Sequence, residues 1–403
     1  MRRIELSSRT NRAIARGITI ATVLAVSTPA MAQSGWQQRV EPGAEKAEKK
    51  PQSKSGQAGG AKVKSQPVEP STAPATALPG SQPALKPSIA APLGASTAPA
   101  ASTFAKGAAG TDPAYEAFDQ GQYLTALSLA EKLAAAGDPQ AHTLIGRIHA
   151  EGLGVPQSAT TAAKWYAKAV EFGDIEAAFA LGTLHAKGKA ENGAGLERNY
   201  AEAARLFEIA AAKEHALANY SLGLLFLRGQ GKGENPHRAF AHIRYAAWKG
   251  VAAAQYDLGT LYATGTGTDP NAFEAARWIE KAAKAGHTEA EIEYAVILFK
   301  VDAPPEDPNA KELQLQAEKR GAALFRSAAD KGYPVAQNRL ARCLSQGKGL
   351  EKNLIEAAKW HLIAKAAGLD DEVLEALYKK LSKADKLAAE KAADDWRDKS
   401  QIQ

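Results

Sequence analysis

This sequence is short of the groups that do chemistry. One cysteine, Cys343, stands in 403 residues. It has no partner within the chain, so a disulfide-stapled scaffold is excluded and stability must come from helix packing. The slot beside Leu344 reads as buried, which makes Cys343 a small core residue rather than a nucleophile. No Ser-His-Asp, Cys-His or paired-carboxylate constellation stands out. The eight histidines are not spaced as a metal site. His149 and His185 sit one period apart on helices that would stack, and a third ligand is missing. The chain therefore reads as no enzyme, with no catalytic, cofactor-binding or metal-binding residue. Long apolar runs are also scarce. Ile18 to Val26 is the only notable one, and it is too short to span a bilayer comfortably.

That run belongs to residues 1–32, which read as a Sec-type signal peptide. Arg2, Arg3, Arg9, Arg12 and Arg16 form the basic region, and Ala30-Met31-Ala32 is an A-x-A cleavage site, so Gln33 is the expected mature N-terminus. The expected location is periplasmic or secreted. An uncleaved N-terminal anchor is the alternative. Residues 33–110 hold ten of the chain's 20 prolines among Ala, Ser, Thr, Gly and Lys. Such a stretch cannot bury enough apolar surface to offset its ordering entropy, and it reads as a disordered linker. The signal carries five Arg and one Glu, the linker nine basic and four acidic residues, and the whole chain +6. The remainder is then −3, so the basic pI says nothing of the folded part. No basic stripe marks it, and nucleic acid is not an expected partner. The basic linker has the charge to touch anionic envelope polymers; a solvated tail is the plainer reading.

What is present is a period. Pairs of the Leu-Gly type recur at Ile145-Gly146, Leu181-Gly182, Leu222-Gly223, Leu258-Gly259, Tyr294-Ala295 and Leu340-Ala341, their second members 36, 41, 36, 36 and 46 residues apart. A period of this size means stacked supersecondary units. In the first unit Gly137 closes the preceding helix, Asp138 is an N-cap and Pro139 takes the first helical position. Ala141, Ile145 and Ile148 mark one apolar face. Gly152-Leu153-Gly154 breaks that helix, and a second runs through Trp165-Tyr166 to Gly173. Glycine inside a helix costs about 1 kcal/mol relative to Ala, so its recurrence implies close helix approach. Trp165, Trp278 and Trp360 fill the slot eight places before the closing glycine, where Leu206, His242 and Leu324 stand in the other units. Gly229-Gln-Gly231-Lys-Gly233 lacks a preceding strand and any nucleotide-loop spacing, and reads as a turn. Extra residues near 189–197 and 301–317 are expected in loops.

The string AAAQYDLGTLYATGTGTDPNAFEAARWIEKAAKAGH, from Ala252 to His287, resembles the Sel-one-like repeat family, a branch of the tetratricopeptide-like solenoids. The resemblance implies an all-α, right-handed α/α superhelical solenoid of about six to seven helix pairs over residues 111–368, with capping helices over 369–403. It also implies a concave groove that binds proteins. The place three residues before each Gly or Ala holds Thr143, Phe179, Tyr220, Tyr256, Ile292 and Asn338. In tetratricopeptide-like folds this place faces the groove. Phe179, Tyr220, Tyr256 and Ile292 are therefore candidate contacts for a protein partner, with packing inside the superhelix as the alternative. The expected function is an exported interaction scaffold in the bacterial envelope. The alternatives are a peptidoglycan- or β-lactam-related envelope factor, although the paired cysteines of such relatives and an S-x-x-K with its supporting motifs are absent here, and a secreted effector.

Overall fold

The computed structural model describes residues 112–189, 195–300 and 308–400. The signal-peptide and linker expectations fall on residues outside these. Among the described residues there are sixteen α-helices and no strand. Helices α1 (Pro113–Asp119) and α2 (Tyr123–Ala135) precede six helix pairs. The pairs are α3 (Pro139–Glu151) with α4 (Ala159–Glu171), α5 (Ile175–Lys187) with α6 (Tyr200–Ala211), and α7 (Ala216–Arg228) with α8 (Pro236–Trp248). Then come α9 (Ala252–Thr264) with α10 (Ala272–Lys284), α11 (Thr288–Lys300) with α12 (Ala310–Asp330), and α13 (Pro334–Gln346) with α14 (Leu354–Ala366). Helices α15 (Glu372–Lys380) and α16 (Lys383–Ser400) close the array against α14. From α1 to α14 each helix packs on the one before and the one after it, which is the contact pattern of a solenoid. The first helix of each pair is called A below and the second B.

Capping sets the helix starts. Asp138 accepts from the amides of Gln140 (2.8 Å) and Ala141 (3.3 Å), and Asp174 from that of Ala177 (2.8 Å). The B helices use Ser158, Asn199, Asn235, Asn271 and Asn353, each accepting from the amide three residues on. Each such cap contributes about 1 kcal/mol. Helix α12 is the exception. Asn309 makes no side-chain cap, and the helix runs 21 residues from Ala310. The insertion expected as loop through Ala317 is therefore helical from Ala310 onward. Its residues Lys311 to Lys319 are strong helix formers without Gly or Pro, and they extend helix B backwards by two turns.

The repeated small residues mark where A and B cross. A Cβ placed on Gly259 would lie 2.7 Å from Ile279 Cγ1 and 3.1 Å from the Ala275 carbonyl oxygen. The fifth pair inverts this arrangement. Ala295 stands on helix A, and the glycine has moved to helix B as Gly321, whose Cβ would meet Phe299 at 2.7 Å and the Ala295 oxygen at 3.3 Å. The Gly-x-Gly turns have a second reason to exist. Gly267, at φ +74, lies so close to the start of α8 that a Cβ would fall 2.1 Å from the Pro236 oxygen. The turn thus closes one helix and seats the next repeat on the last.

Between repeats, amide side chains four places before the Gly or Ala reach back to the preceding B helix. Asn219 donates to Ala211 O (3.5 Å), Gln255 to Ala247 O (3.2 Å) and Gln337 to Ala329 O (3.2 Å). These bonds take up carbonyls at helix C-termini that would otherwise be buried unpaired. The tryptophan slots are filled as expected: Trp278 and Trp360 are buried. His242 stands in that slot with its Nδ1 2.9 Å from Asn219 Oδ1 and its ring stacked on Phe226. Cys343 is buried, and that burial pushes its thiol up to about 11, which keeps it protonated and inert.

Candidate interaction surface

The A helices bury their Leu-Gly side against the B helices and leave a half-buried strip on another side. The candidate residues three places before the Gly or Ala all lie on this strip. Phe179, Tyr220, Tyr256 and Ile292 are each half-buried. Each reaches the neighbouring repeat, and the residue it meets follows a rule. Phe179 packs its ring 4.6 Å from that of His215, and Tyr256 stacks 4.7 Å from His287. His215 and His287 are in turn the residues that cap α7 and α11, their Nδ1 atoms accepting from Ala218 (3.0 Å) and Ala290 (3.4 Å). Thr143 lies beside Asp174, the N-cap of α5, and works against the burial that raises its carboxyl. Asn338 donates to Asp371, the N-cap of α15, at 2.8 Å. Tyr220 shares an apolar cluster with Val251, the N-cap residue of α9, and Ile292 shares one with Tyr333, the N-cap residue of α13. In four of the six repeats the strip side chain thus meets the N-cap residue of the next repeat or closing helix, and in the other two both pack against one cluster.

The next position along, two places before the Gly or Ala, holds Leu144, Ala180, Ser221, Asp257, Glu293 and Arg339. Two of these are carboxylates that receive tyrosine hydroxyls from the preceding repeat. Tyr220 donates to Asp257 and Tyr256 to Glu293, both at 2.8 Å. Burial pushes Asp257 up to about 6, against the pull of the Tyr220 hydroxyl and the Arg228 charge. Burial pushes Glu293 up to about 7; the Tyr256 hydroxyl opposes this and the Glu289 charge adds to it. Both tyrosine hydroxyls are held above their ordinary range, first by burial and then by the adjoining carboxylate. At the end of the strip Asp371 behaves oppositely. Burial raises it, but Arg342 at 2.6 Å, Asn338 and the Leu374 amide outweigh that and hold it at about 2.

The sequence placed the four candidate residues on one face, and the structure brings them to one strip in successive repeats. It did not reveal their partners. His215 and His287 stand where a helix N-cap belongs, a place usually taken by Asp, Asn, Ser or Thr. Asp257 and Glu293 follow directly on a strip residue where other units have Leu, Ala, Ser or Arg. That departure from the period is the signal that would have found them. Among the described residues, no group of three or more His, Cys, Asp or Glu side chains is arranged to hold a metal ion. No described helix is long and apolar enough to cross a membrane.

Residues 139–174, 175–215, 216–250, 252–287 and 334–369 match the Sel1 repeat model. These are five of the six helix pairs; the pair between them, α11 with α12, carries the inverted small residues and the lengthened B helix. Among solved structures, a Sel1 repeat protein from Oxalobacter formigenes is 28% identical, over 63% of this chain and 97% of that one, with a TM-score of 0.51. The protein c5321, a protective antigen of uropathogenic Escherichia coli strains displaying an SLR fold, is 20% identical over 68% of this chain and 79% of that one, at a TM-score of 0.37. The immunity protein Pa5087 of Pseudomonas aeruginosa is 17% identical over 55% of this chain and 85% of that one, at 0.33. No curated protein matches the sequence. A period in the sequence, its stacked helix pairs and five matched units together make this chain a Sel1-like repeat protein.

Proposed function

We propose that this protein is an exported interaction scaffold of the bacterial envelope that binds a partner polypeptide along the A-helix strip. Sel1 repeats in general mediate protein–protein interaction and serve as non-enzymatic scaffolds. The observation that carries the reading is the strip itself: Phe179, Tyr220, Tyr256 and Ile292 each reach the next repeat with one side while remaining only half-buried. Rigid aromatics anchored at one end and open at the other lose little entropy when a partner covers them, which is the character of binding hot spots. Export is supported by the signal-like residues 1–32, and reach from an envelope surface by the proline-rich residues 33–110.

A photo-reactive phenylalanine analogue tests the surface. Placed at Ala180 or Ser221 on the strip, it is expected to yield one discrete adduct in cells; at Phe273 or Lys284 on a B helix it is not. Equal yields from both sets would refute the strip as the binding face. Export is tested separately by fusing alkaline phosphatase to the C-terminus, which is active only outside the cytoplasm. An inactive fusion, or activity that survives deletion of residues 1–32, would refute that part.

A further inference from the structure

Three carboxylates of the A helices and their N-cap residues are buried among the described residues: Glu291, Glu293 and Asp371. Two of them have a cation of their own. Glu291 is bound by Lys331 at 2.9 Å, and Asp371 by Arg342 at 2.6 Å. Glu293 has none. It makes no ion pair within 4 Å, its Oε1 accepts from Tyr256, and its Oε2 is buried with no hydrogen-bond partner while the residue is only 7% exposed. The charged neighbour that acts on it is another acid, Glu289, one turn earlier on α11. The same Glu289 acts on Asp257, the equivalent residue one repeat back, where the Arg228 charge opposes it. Exposure falls from Glu289, which is exposed, through Asp257, half-buried, to Glu293, buried.

Burying a carboxylate without a cation is costly, and an acid perturbed in this way marks a candidate binding site. The array shows that it can supply an internal Lys or Arg at this depth, since it does so two residues away at Glu291 and again at Asp371. We propose that the seam between the fourth and fifth repeats, at Glu289, Asp257 and Glu293, receives a lysine or arginine side chain of the partner polypeptide. This rests on the strip being the binding face, and adds the partner's chemistry: a basic residue opposite repeats four and five. The tyrosines serve as the walls. Tyr220 and Tyr256 hold Asp257 and Glu293 in place from the preceding repeat, and their ring faces are suited to a cation.

The probes are fluorophore-labelled hexalysine, hexaarginine and hexaglutamate, followed by anisotropy with the purified chain at physiological salt. One or both basic peptides are expected to bind and hexaglutamate is not. The variant Asp257→Asn with Glu293→Gln keeps the acceptor for each tyrosine hydroxyl, and is expected to weaken binding at least tenfold without lowering the melting temperature. Glu289→Gln, which touches only an exposed group, is expected to weaken it about threefold, and serves if the double variant folds poorly. Glu131→Gln with Glu171→Gln removes the same charge from exposed positions on α2 and α4, and should change binding less than twofold. No binding of either basic peptide overturns the proposal. So does equal weakening by the seam variants and by this control, which would mean general charge attraction. A strip photo-adduct that persists in the seam variant would then show the binding face to stand without the seam; loss of strip selectivity in the unmodified protein would instead show the face itself to be misassigned.

Discussion

The exchange of small residues between helices A and B makes a prediction that can be worked through in numbers. In the fourth pair the crossing is Gly259 against Ala275; in the fifth it is Ala295 against Gly321. Gly259→Ala gains about 1 kcal/mol of helix propensity. It also forces a methyl to 2.7 Å from Ile279 Cγ1 and 3.1 Å from the Ala275 oxygen, and overpacking of this kind costs about 1–3 kcal/mol. The net loss is roughly 0–2 kcal/mol. Ala275→Gly alone loses about 1 kcal/mol of propensity and about 1 kcal/mol for the buried methyl. Simple addition puts the double variant at roughly 2–4 kcal/mol of loss. The inverted fifth pair shows that the reciprocal arrangement is well packed, so the double variant is expected to recover at least about 1 kcal/mol of that sum. Urea unfolding followed by helix circular dichroism measures all four corners of the cycle. Strict additivity, with no recovery, would refute the claim that what the crossing requires is one missing methyl on either helix.

Glu293→Gln tests the buried acid by pH. Its folded value of about 7 exceeds the unfolded value of about 4.3, so the folded chain keeps a proton that the unfolded chain gives up. Stability from this group is complete below about pH 4 and drains away as pH rises to about 7. The variant is therefore expected to melt at least a few degrees above the parent at pH 8 and close to it at pH 4.5; His287, whose burial-lowered value gives the opposite slope, is common to both proteins and cancels. Glu214 occupies the place of the closing glycine with a positive φ of 65°, a conformation that costs side-chain-bearing residues. Glu214→Gly is expected to raise the melting temperature by about 1–4 °C, because the exposed pair with Lys249 that it gives up contributes little. A fall would show that Lys249 matters more than the backbone. Asn271→Ala removes the cap on the Glu274 amide and is expected to cost about 1 kcal/mol in urea unfolding; no loss would mean water replaces the side chain at that helix start.

Much of the fold was legible because its signals are local. Asp138-Pro139, the Leu-Gly pairs and the Gly-x-Gly turns each announce a helix boundary or a close approach within one period. The fifth pair was harder. Tyr294-Ala295 departs from the Leu-Gly type, and the space it lacks is carried by Gly321 on the other helix. The loop expected through Ala317 failed for a related reason: distance from the family pattern was read as irregular chain, although Lys311 to Lys319 has the composition of helix. At the strip, one sequence column predicted which side chains share a face. It could not predict that four of them meet the N-cap residue of a following helix, because that pairing joins positions more than 30 residues apart whose identities differ from unit to unit. Thr143 meets Asp174, Phe179 meets His215 and Asn338 meets Asp371.

Those junctions also fix the order in which the units can be strung. Each join has its own chemistry, so the modules are keyed and cannot be freely shuffled. Excising the fourth unit would bring Tyr220 up to His287, a match of the same kind as Tyr256 with His287 today. Excising the sixth would instead set Ile292 against Asp371 and take away Asn338 and Arg342, leaving a buried acid facing a hydrocarbon. Genetic loss of one whole unit is thus survivable at some places along this chain and ruinous at others, and its lineage can shorten or lengthen only where neighbouring keys happen to agree.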